Sequence, residues 1–369
     1  MKVLAFSEGP NHVCYRYRIE AFAWALADRG WTLESLPLAP NTFERSPQLR
    51  AAQEADVVIL QRKLLPLWQL RRLRRYARVL LYDFDDAQYC RDSYSRKSST
   101  SWTRLANFWA TIYAADGVIA GNSHLAEQAG AYVGPEKVHL VPTCVAPQTY
   151  QTAEHSRRGS GVRLVWIGQH STLPGLYLAN PLLEAAGART PGLELRVVCN
   201  QFPRLHGIQV VPRQWSQAGE AGELADADIG VSFLPDDEWS RGKCGLKVLQ
   251  YMAAGLPVVA NPVGMNCEMV EHGVNGFLAR TPEEWAEAIQ RLAGDPQLRQ
   301  RMGTAGRKAV EARFSVDGWA PRLAELIERV YWSTVGTAPV AHRRFDPPHA
   351  RPAASVLHQE FVGFPESRR

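Results

Sequence analysis

The stretch "RGKCGLKVLQYMAAGLPVVANPVG", Arg241 to Gly264, decides the fold. A basic loop leads into an apolar helical pattern, which stops at a glycine and continues, after a proline, as a short β-rich run. A helix start already carries partial positive charge, so cations placed there are unfavourable unless an anion binds. The stretch therefore predicts a loop, a helix and a strand, with an anion-binding site at the helix start.

Short apolar runs alternate with helical patterns along the whole chain, beginning with "KVLAF", "DVVIL" and "VLLYDF". Strands that alternate with helices indicate a parallel sheet with helices on its faces, so the fold class is α/β. The alternation stops at a turn-rich segment and then restarts. We predict an N-terminal domain (residues 1–150), a linker (151–161), a C-terminal domain (162–314), a long helix (315–333) and a Pro- and Arg-rich tail (334–369).

Composition narrows the function classes. The 369 residues leave room for two domains, and 46% hydrophobic with 21% charged residues is ordinary for a globular protein. The net charge of +5 fits an anionic ligand or membrane surface and gives no argument for nucleic acid. The six cysteines are scattered, so we expect neither a disulfide framework nor a zinc site. With no signal peptide and no long apolar run, we expect a cytoplasmic protein.

The segment "GLKVLQYMAAGLPVVANPVGMNCEMVEHGVNGFLA", Gly245 to Ala279, resembles glycosyltransferase group 1, the retaining nucleotide-sugar-dependent enzymes with the GT-B fold. The resemblance covers residues 162–331 and extends to the first half by architecture. It implies two Rossmann-like domains facing across a cleft, with the last long helix returning to the N-terminal domain. It also implies transfer of a hexose-like sugar from a UDP- or GDP-sugar to a hydroxyl acceptor, with retention and without a metal or other cofactor.

The resemblance places the donor on the C-terminal domain. Negative charge grows on the leaving diphosphate, and a helix N-terminus offers free N–H groups to it. The N–H groups of Cys244, Gly245 and Leu246 are candidates, and three cations could add full charge. These cations are Arg241, Lys243 and Lys247. The alternative is that they are solvated surface charges.

A second anion site is predicted after the strand "VRLVWIG", where the family usually has an Arg and a Lys and this chain has neither. The candidates there are Gly168, Gln169, Ser171 and Thr172. The alternative is an ordinary strand-to-helix turn capped by Ser or Thr. Asn200, at a later strand end, is placed by chain order to reach the base.

Family members carry two Glu eight positions apart across the helix start, one for the sugar and one for the ribose. Here those positions hold Gly242 and Gln250. Gln250 can still bond ribose hydroxyls, but Gly242 cannot replace a carboxylate, although Asp236, Asp237 or Glu238 in a predicted loop could supply one. The departure leaves open a catalytically inactive nucleotide-sugar-binding protein. A GT-B nucleotide-sugar epimerase is a further alternative.

The N-terminal half supplies the acceptor candidates. Asp85 and Asp86, in "YDFDDAQ", end an apolar strand and are predicted to face the acceptor hydroxyl as catalytic groups. A metal-binding role fits the resemblance poorly, and helix capping is the structural alternative. After the first strand, Gly9 makes a turn, and Arg16 and Arg18 could bind a substrate phosphate or form ion pairs on a helix.

We expect a glycan, lipid-linked or small-molecule hydroxyl acceptor, and the helical pattern "LLPLWQLRRLRRYARVL" bears on that choice. Its five arginines and its tryptophan suit peripheral contact with anionic lipid. The alternative, which the sequence favours, is a packed helix with a solvated basic side. The cluster lacks the aromatic interleaving of a nucleic-acid site, so we expect no nucleic-acid partner.

Overall fold

The computed structural model describes residues 1–156 and 161–336, and their strands form two parallel six-stranded sheets. The first sheet has the order β2-β1-β3-β4-β5-β6 and the second β12-β11-β10-β7-β8-β9. The first comprises β1 (Lys2–Ser7), β2 (Thr32–Pro37), β3 (Val57–Gln61), β4 (Val79–Phe84), β5 (Gly117–Ala120) and β6 (Val138–Leu140). The second comprises β7 (Arg163–Ile167), β8 (Glu194–Cys199), β9 (Gln209–Gln214), β10 (Ile229–Ser232), β11 (Val258–Ala260) and β12 (Gly276–Leu278).

Helices cover both faces of each sheet and connect most successive strands, whereas residues 200–208 join β8 to β9 without a helix. Those interleaved with the first sheet are α1 (Val13–Arg18), α2 (Ala23–Ala27), α3 (Thr42–Gln48), α4 (Leu67–Tyr76), α5 (Trp102–Ala114) and α6 (Ser123–Val133). Those of the second half are α7 (Leu173–Leu178), α8 (Asn180–Arg189), α9 (Glu220–Ala225), α10 (Glu238–Arg241), α11 (Leu246–Ala253), α12 (Met265–Met269), α13 (Pro282–Gly294), α14 (Pro296–Arg313) and α15 (Val316–Val335). The predicted α/β class is confirmed.

The long helix α15 returns to the first sheet. Trp319, Leu323 and Ile327 pack in one buried cluster with Val57 and Leu81 of that sheet. The opposite face of the sheet is covered by α4, α5 and α6. The returning helix predicted from the resemblance is therefore present. In residues 1–156 and 161–336, no helix is both long and apolar enough to cross a membrane.

The pattern "YRYRIEAFAWALADRG", Tyr15 to Gly30, predicts one continuous helix, and this helix is broken in the structure. The helix α1 ends at Arg18, and a short 3₁₀ turn precedes α2. Three consecutive residues, Tyr17, Arg18 and Ile19, are buried. Successive residues of a regular helix point about 100° apart, so burying all three is easier where the helix ends.

The carboxyl ends of the two sheets lie face to face. Asn122, just after β5, donates its Nδ2 hydrogen bonds to the carbonyls of Arg241 (3.4 Å) and Lys243 (3.2 Å), just before α11. This edge is where open α/β sheets bind ligands. Most of the predicted tail, and residues 157–160 of the predicted linker, lie outside the described residues.

Candidate active site

The start of α11 presents a row of free donors. The N–H groups of Cys244, Gly245, Leu246 and Lys247 have no hydrogen-bond acceptor within the described residues. Gly245 makes this possible because it adopts a left-handed conformation (φ 65°) at the N-cap, where a Cβ would lie 3.0 Å from the sulfur of Met269. Four adjacent donors at a positive helix end form a site suited to an anion.

Lys247 adds a charge that the protein leaves unpaired. Its Nζ lies over the Trp166 ring, 5.0 Å from the centroid, and no carboxylate of the described residues pairs with it. Burial, together with the neighbouring Lys243, lowers the pKa of Lys247 to about 8. A partly buried lysine that lacks a counter-ion is stabilised when an anion arrives.

The other two predicted cations are partly engaged. Lys243 Nζ lies 3.6 Å from an Asp86 oxygen of the N-terminal half and 5.2 Å from the Trp239 ring centroid. Arg241 is exposed and pairs with Asp236 at 2.8 Å. Exposed pairs of this kind contribute little free energy and can exchange for a ligand. Lys243 and Lys247 are therefore the better-placed cations.

The loop after β7 lies beside Lys247. A Cβ on Gly168 would come within 2.5 Å of the Trp166 ring, the same ring that Lys247 covers. Gln169 and Ser171 are exposed, and Thr172 Oγ1 donates to the Gln169 carbonyl at 2.9 Å. Thr172 stands at the N-cap of α7, but its side chain makes no capping hydrogen bond to that helix.

Asn200 contacts neither the loop after β7 nor Lys247 through a hydrogen bond of the described residues. It is exposed after β8 and accepts a hydrogen bond from Gln214 at 3.2 Å. Because β8 is the neighbour of β7 in the sheet, Asn200 shares the ligand-binding edge with Gly168. Its role toward a base stays a prediction.

Across the cleft, Asp85 and Asp86 are held by Arg62. The Arg62 guanidinium pairs with Asp85 and, at 2.7 Å, with Asp86. Burial disfavours the charged form of Asp85, but the attraction of Arg62 and Arg18 outweighs it and lowers the pKa of Asp85. Asp85 is thus a weak base that fixes Arg62, whereas Asp86 is more accessible and reaches Lys243.

Arg62 was missed by the sequence reasoning. It directly follows β3 and is the one non-glycine residue with positive φ (59°) among the described residues. Its backbone N–H donates to the Asp83 carbonyl at 2.8 Å, which ties it to β4. The signal in the sequence is a charged pair, Arg62 and Lys63, which is separated from the apolar run "DVVIL" only by Gln61.

Arg16 and Arg18 form ion pairs, one of the two interpretations open for them. Arg18 is buried and holds Asp83 through Nε (3.1 and 3.0 Å) and Nη2 (2.5 Å). Arg16 pairs with Glu220 of α9 at 3.1 Å. Gly9 makes the predicted turn, with φ 126° and its carbonyl accepting from the His12 N–H. Contact of these residues with an acceptor stays a prediction.

Gly242 and Gln250, the two positions that depart from the family pattern, both contact residues of the N-terminal half. A Cβ on Gly242 would lie 2.8 Å from the nitrogen and the Cβ of Ala87, so the loop carrying Asp86 occupies that space. Gln250 is buried, and its Nε2 donates to the hydroxyls of Tyr17 (3.2 Å) and Tyr150 (3.4 Å). In this arrangement Gln250 bonds protein hydroxyls.

The predicted acidic loop is partly helical. Asp237 caps α10 by accepting from the Ser240 N–H, and Glu238 accepts from Tyr89 (2.6 Å) and pairs with His124 (2.9 Å). These acids therefore hold the two halves together. Among the residues that the structure describes, no group of three or more His, Cys, Asp or Glu side chains is arranged to hold a metal ion.

This geometry matches known architecture. The chain has the GT-B fold: two Rossmann-like units with their carboxyl edges face to face. Sucrose-phosphate synthase from Thermosynechococcus elongatus is similar over 90% of this chain and 100% of its own, with a TM-score of 0.73 and 18% identity. Anabaena HepE, solved in complex with UDP and glucose, is similar over 89% of this chain and 100% of its own, with a TM-score of 0.63 and 19% identity.

Sequence comparison agrees with the resemblance. Residues 156–295 match the family model described as "Glycosyl transferases group 1". The D-inositol 3-phosphate glycosyltransferase of Thermobispora bispora is 37% identical over 232 residues, 53% of this chain and 52% of its own. The chain spans between 21% and 52% of the length of such curated relatives.

Proposed function

We propose that the protein is a glycosyltransferase that transfers a hexose-like sugar from a UDP- or GDP-sugar to a hydroxyl acceptor, with retention. The observation that carries the proposal is the start of α11, where four free N–H groups adjoin an unpaired Lys247. A related D-inositol 3-phosphate glycosyltransferase and a structural neighbour solved in complex with UDP-glucose support the class.

In this proposal the diphosphate lies against the N–H groups of residues 244–247. Lys247 and Lys243 neutralise the charge that develops on the leaving phosphate, and no reorganisation is needed because the donors are already fixed. The loop from Gly168 to Thr172 contributes small polar groups beside the Trp166 ring. The proposed donor site therefore uses the predicted residues of both segments.

Asp86 orients the acceptor. Its carboxylate is held between Arg62 and Lys243, so one oxygen can accept a hydrogen bond from the attacking hydroxyl. With retention, the leaving phosphate takes the hydroxyl proton, and Asp86 acts by positioning. Asp85 contributes by fixing Arg62.

A thermal-shift panel of UDP-, GDP- and dTDP-sugars tests the donor site. A ligand that binds only the folded protein stabilises it by about 2.7 kcal/mol at a hundredfold excess over Kd. The matching donor should raise the melting temperature, and Lys243→Ala should reduce that shift while Lys308→Ala, on the exposed side of α14, should not. No shift with any donor would contradict the proposal.

A second candidate is a nucleotide-sugar-binding protein without transfer activity. The crowding at Gly242 and the burial of Gln250 favour it, since neither position offers the usual carboxylate to a sugar. Product analysis separates the two. Transfer requires release of the nucleoside diphosphate together with a glycosylated acceptor, whereas a binding protein shows the thermal shift and no release.

A further inference from the structure

Two neighbouring helices of the N-terminal half present aromatic rings to the outside. On α5, Trp102 (75% exposed), Trp109 and Tyr113 (79% exposed) lie on one face. On α4, Leu67 and Trp68 (52% exposed) are uncovered. Large exposed apolar groups concentrated on one side of a protein mark an interaction surface.

The two helices share one side of the molecule. Leu73 of α4 and Phe108 and Ile112 of α5 pack into one core cluster on the same face of the first sheet, and α4 contacts α5 directly. Beyond α5, the Tyr132 ring of α6 lies 5.1 Å from the Trp109 ring. The outward faces of α4 and α5 therefore form one continuous surface, which we call the α4–α5 face.

The charge of the α4–α5 face has one sign. Neither helix contains an aspartate or a glutamate. Arg71, Arg72 and Arg75 are exposed on the same side of α4 as Trp68, and no carboxylate of the described residues pairs with them. By contrast, Arg74 points away and pairs with Asp116 at 3.1 Å. The uncompensated arginines select an anionic partner.

We propose that the α4–α5 face docks on an anionic lipid bilayer. Arginine guanidinium groups meet the phosphates of the headgroups, and the Trp and Tyr rings enter the boundary between headgroups and acyl chains, where amphipathic aromatic side chains are stable. An anionic bilayer offers phosphates to the arginines and an apolar boundary to the aromatic rings across the whole α4–α5 face. This inference goes beyond the proposed transfer activity and does not depend on it.

The α4–α5 face lies near the side of the cleft that carries Asp86, so docking on a bilayer would bring this side close to the lipid. The first residues of α4 and α5 follow the carboxyl edge of the first sheet, which also carries Arg62 and Asp86. Trp68 and Trp102 stand at these helix starts. A docked bilayer therefore lies on the side from which a hydroxyl acceptor anchored in lipid reaches Asp86.

Vesicle flotation with the full chain tests the proposal. We expect co-flotation with equimolar phosphatidylcholine and phosphatidylglycerol in about 0.1 M salt, little with phosphatidylcholine alone, and a strong decrease in about 1 M salt, where charge attraction is screened within ~3 Å. Absence of flotation on the anionic vesicles in low salt would overturn the proposal and would leave the face to a protein or nucleic-acid partner.

Two triple variants locate the contact. Changing Arg71, Arg72 and Arg75 to Gln should weaken partitioning roughly a hundredfold. Each cation near an anionic surface raises the affinity for it by about fivefold, and three are removed. Changing Arg204, Arg301 and Lys308 to Gln removes the same charge from the C-terminal half and should leave partitioning within about twofold. An equal loss of partitioning in both variants would overturn the proposal, because binding to the vesicles would then depend on the net charge of the protein and not on the α4–α5 face.

A third variant tests the aromatic rings. Trp102→Ser with Tyr113→Ser changes only exposed side chains and should preserve the melting temperature. Partitioning should fall roughly tenfold or more, because the rings supply the apolar contact. Full partitioning of this variant would reduce the interaction to charge alone and contradict docking through the α4–α5 face.

Discussion

The two sides of the cleft differ in whether their charged groups have partners. On the N-terminal side, Arg62 and Arg18 are paired with Asp85, Asp86 and Asp83. On the C-terminal side, Lys247 has no carboxylate partner, and the N–H groups beside it have no acceptor, in the described part of the chain. The first side is a fixed charge network that needs no ligand, whereas the second is completed by an anion. Variants of the paired N-terminal charges should therefore change stability, and variants of the free C-terminal donors should change binding.

Arg62→Met should cause the largest change. It leaves Asp85 and Asp86 without their main counter-charge in a largely buried site, which costs about 3–5 kcal/mol of unfolding free energy. Urea denaturation measures the loss. Lys63→Met is the matched control, because the Lys63–Glu8 pair is more exposed and is expected to contribute less than about 1 kcal/mol. Equal stabilities of the two variants would remove the distinction between the two sides.

Gly242→Ala should destabilise the contact between the sides. The added methyl group would lie 2.8 Å from Ala87, and relieving that overlap costs roughly 1–3 kcal/mol. Thermal unfolding gives the effect. Gly222→Ala is the control, because nothing lies within 4 Å of its added Cβ, and alanine is the better helix former there by about 1 kcal/mol. An unaltered melting temperature for Gly242→Ala would show that the loop carrying Asp86 moves freely.

Lys247→Met should weaken nucleoside diphosphate binding by about tenfold to a hundredfold, the effect of losing one bond to a charged group. Stability should stay the same or rise, because the variant removes a buried charge that has no counter-ion. Isothermal titration with UDP or GDP measures the affinity. Lys308→Met, which removes an exposed lysine from α14, should bind like the wild type. Unchanged affinity of Lys247→Met would remove this residue from the site.

The sequence predicted the features that depend on local pattern. The helix start with Lys243 and Lys247 lies within one short segment, so it can be recognised from sequence alone. The alternation of strand and helix patterns that predicts the two sheets is equally local. The charged pair after β3 marks Arg62, but its role could not be predicted this way, since that role comes from the pairing of β3 with β4. The same holds for Gly242, whose neighbour Ala87 belongs to the other half of the chain.

The exposed face of α5 shows a different limit. Trp102, Trp109 and Tyr113 are spaced like a buried helix stripe, and local pattern favours placing such residues in a core. The sheet instead takes the side with Phe108 and Ile112. Which of two apolar faces is buried is decided by tertiary packing, so the exposure of these three side chains could not be predicted from the sequence.

Proton uptake on binding is the most direct measurement of the central claim. At pH 8 the free Lys247 is about half protonated, because burial and Lys243 lower its pKa to about 8. A bound diphosphate favours the charged form and raises that pKa, so affinity should decrease as pH rises above about 8. Titration of UDP or GDP at pH 8, in buffers of different ionisation enthalpy, should report uptake of about half a proton by the wild type. Lys247→Arg should bind without this uptake, and equal proton uptake by the two proteins would contradict the account.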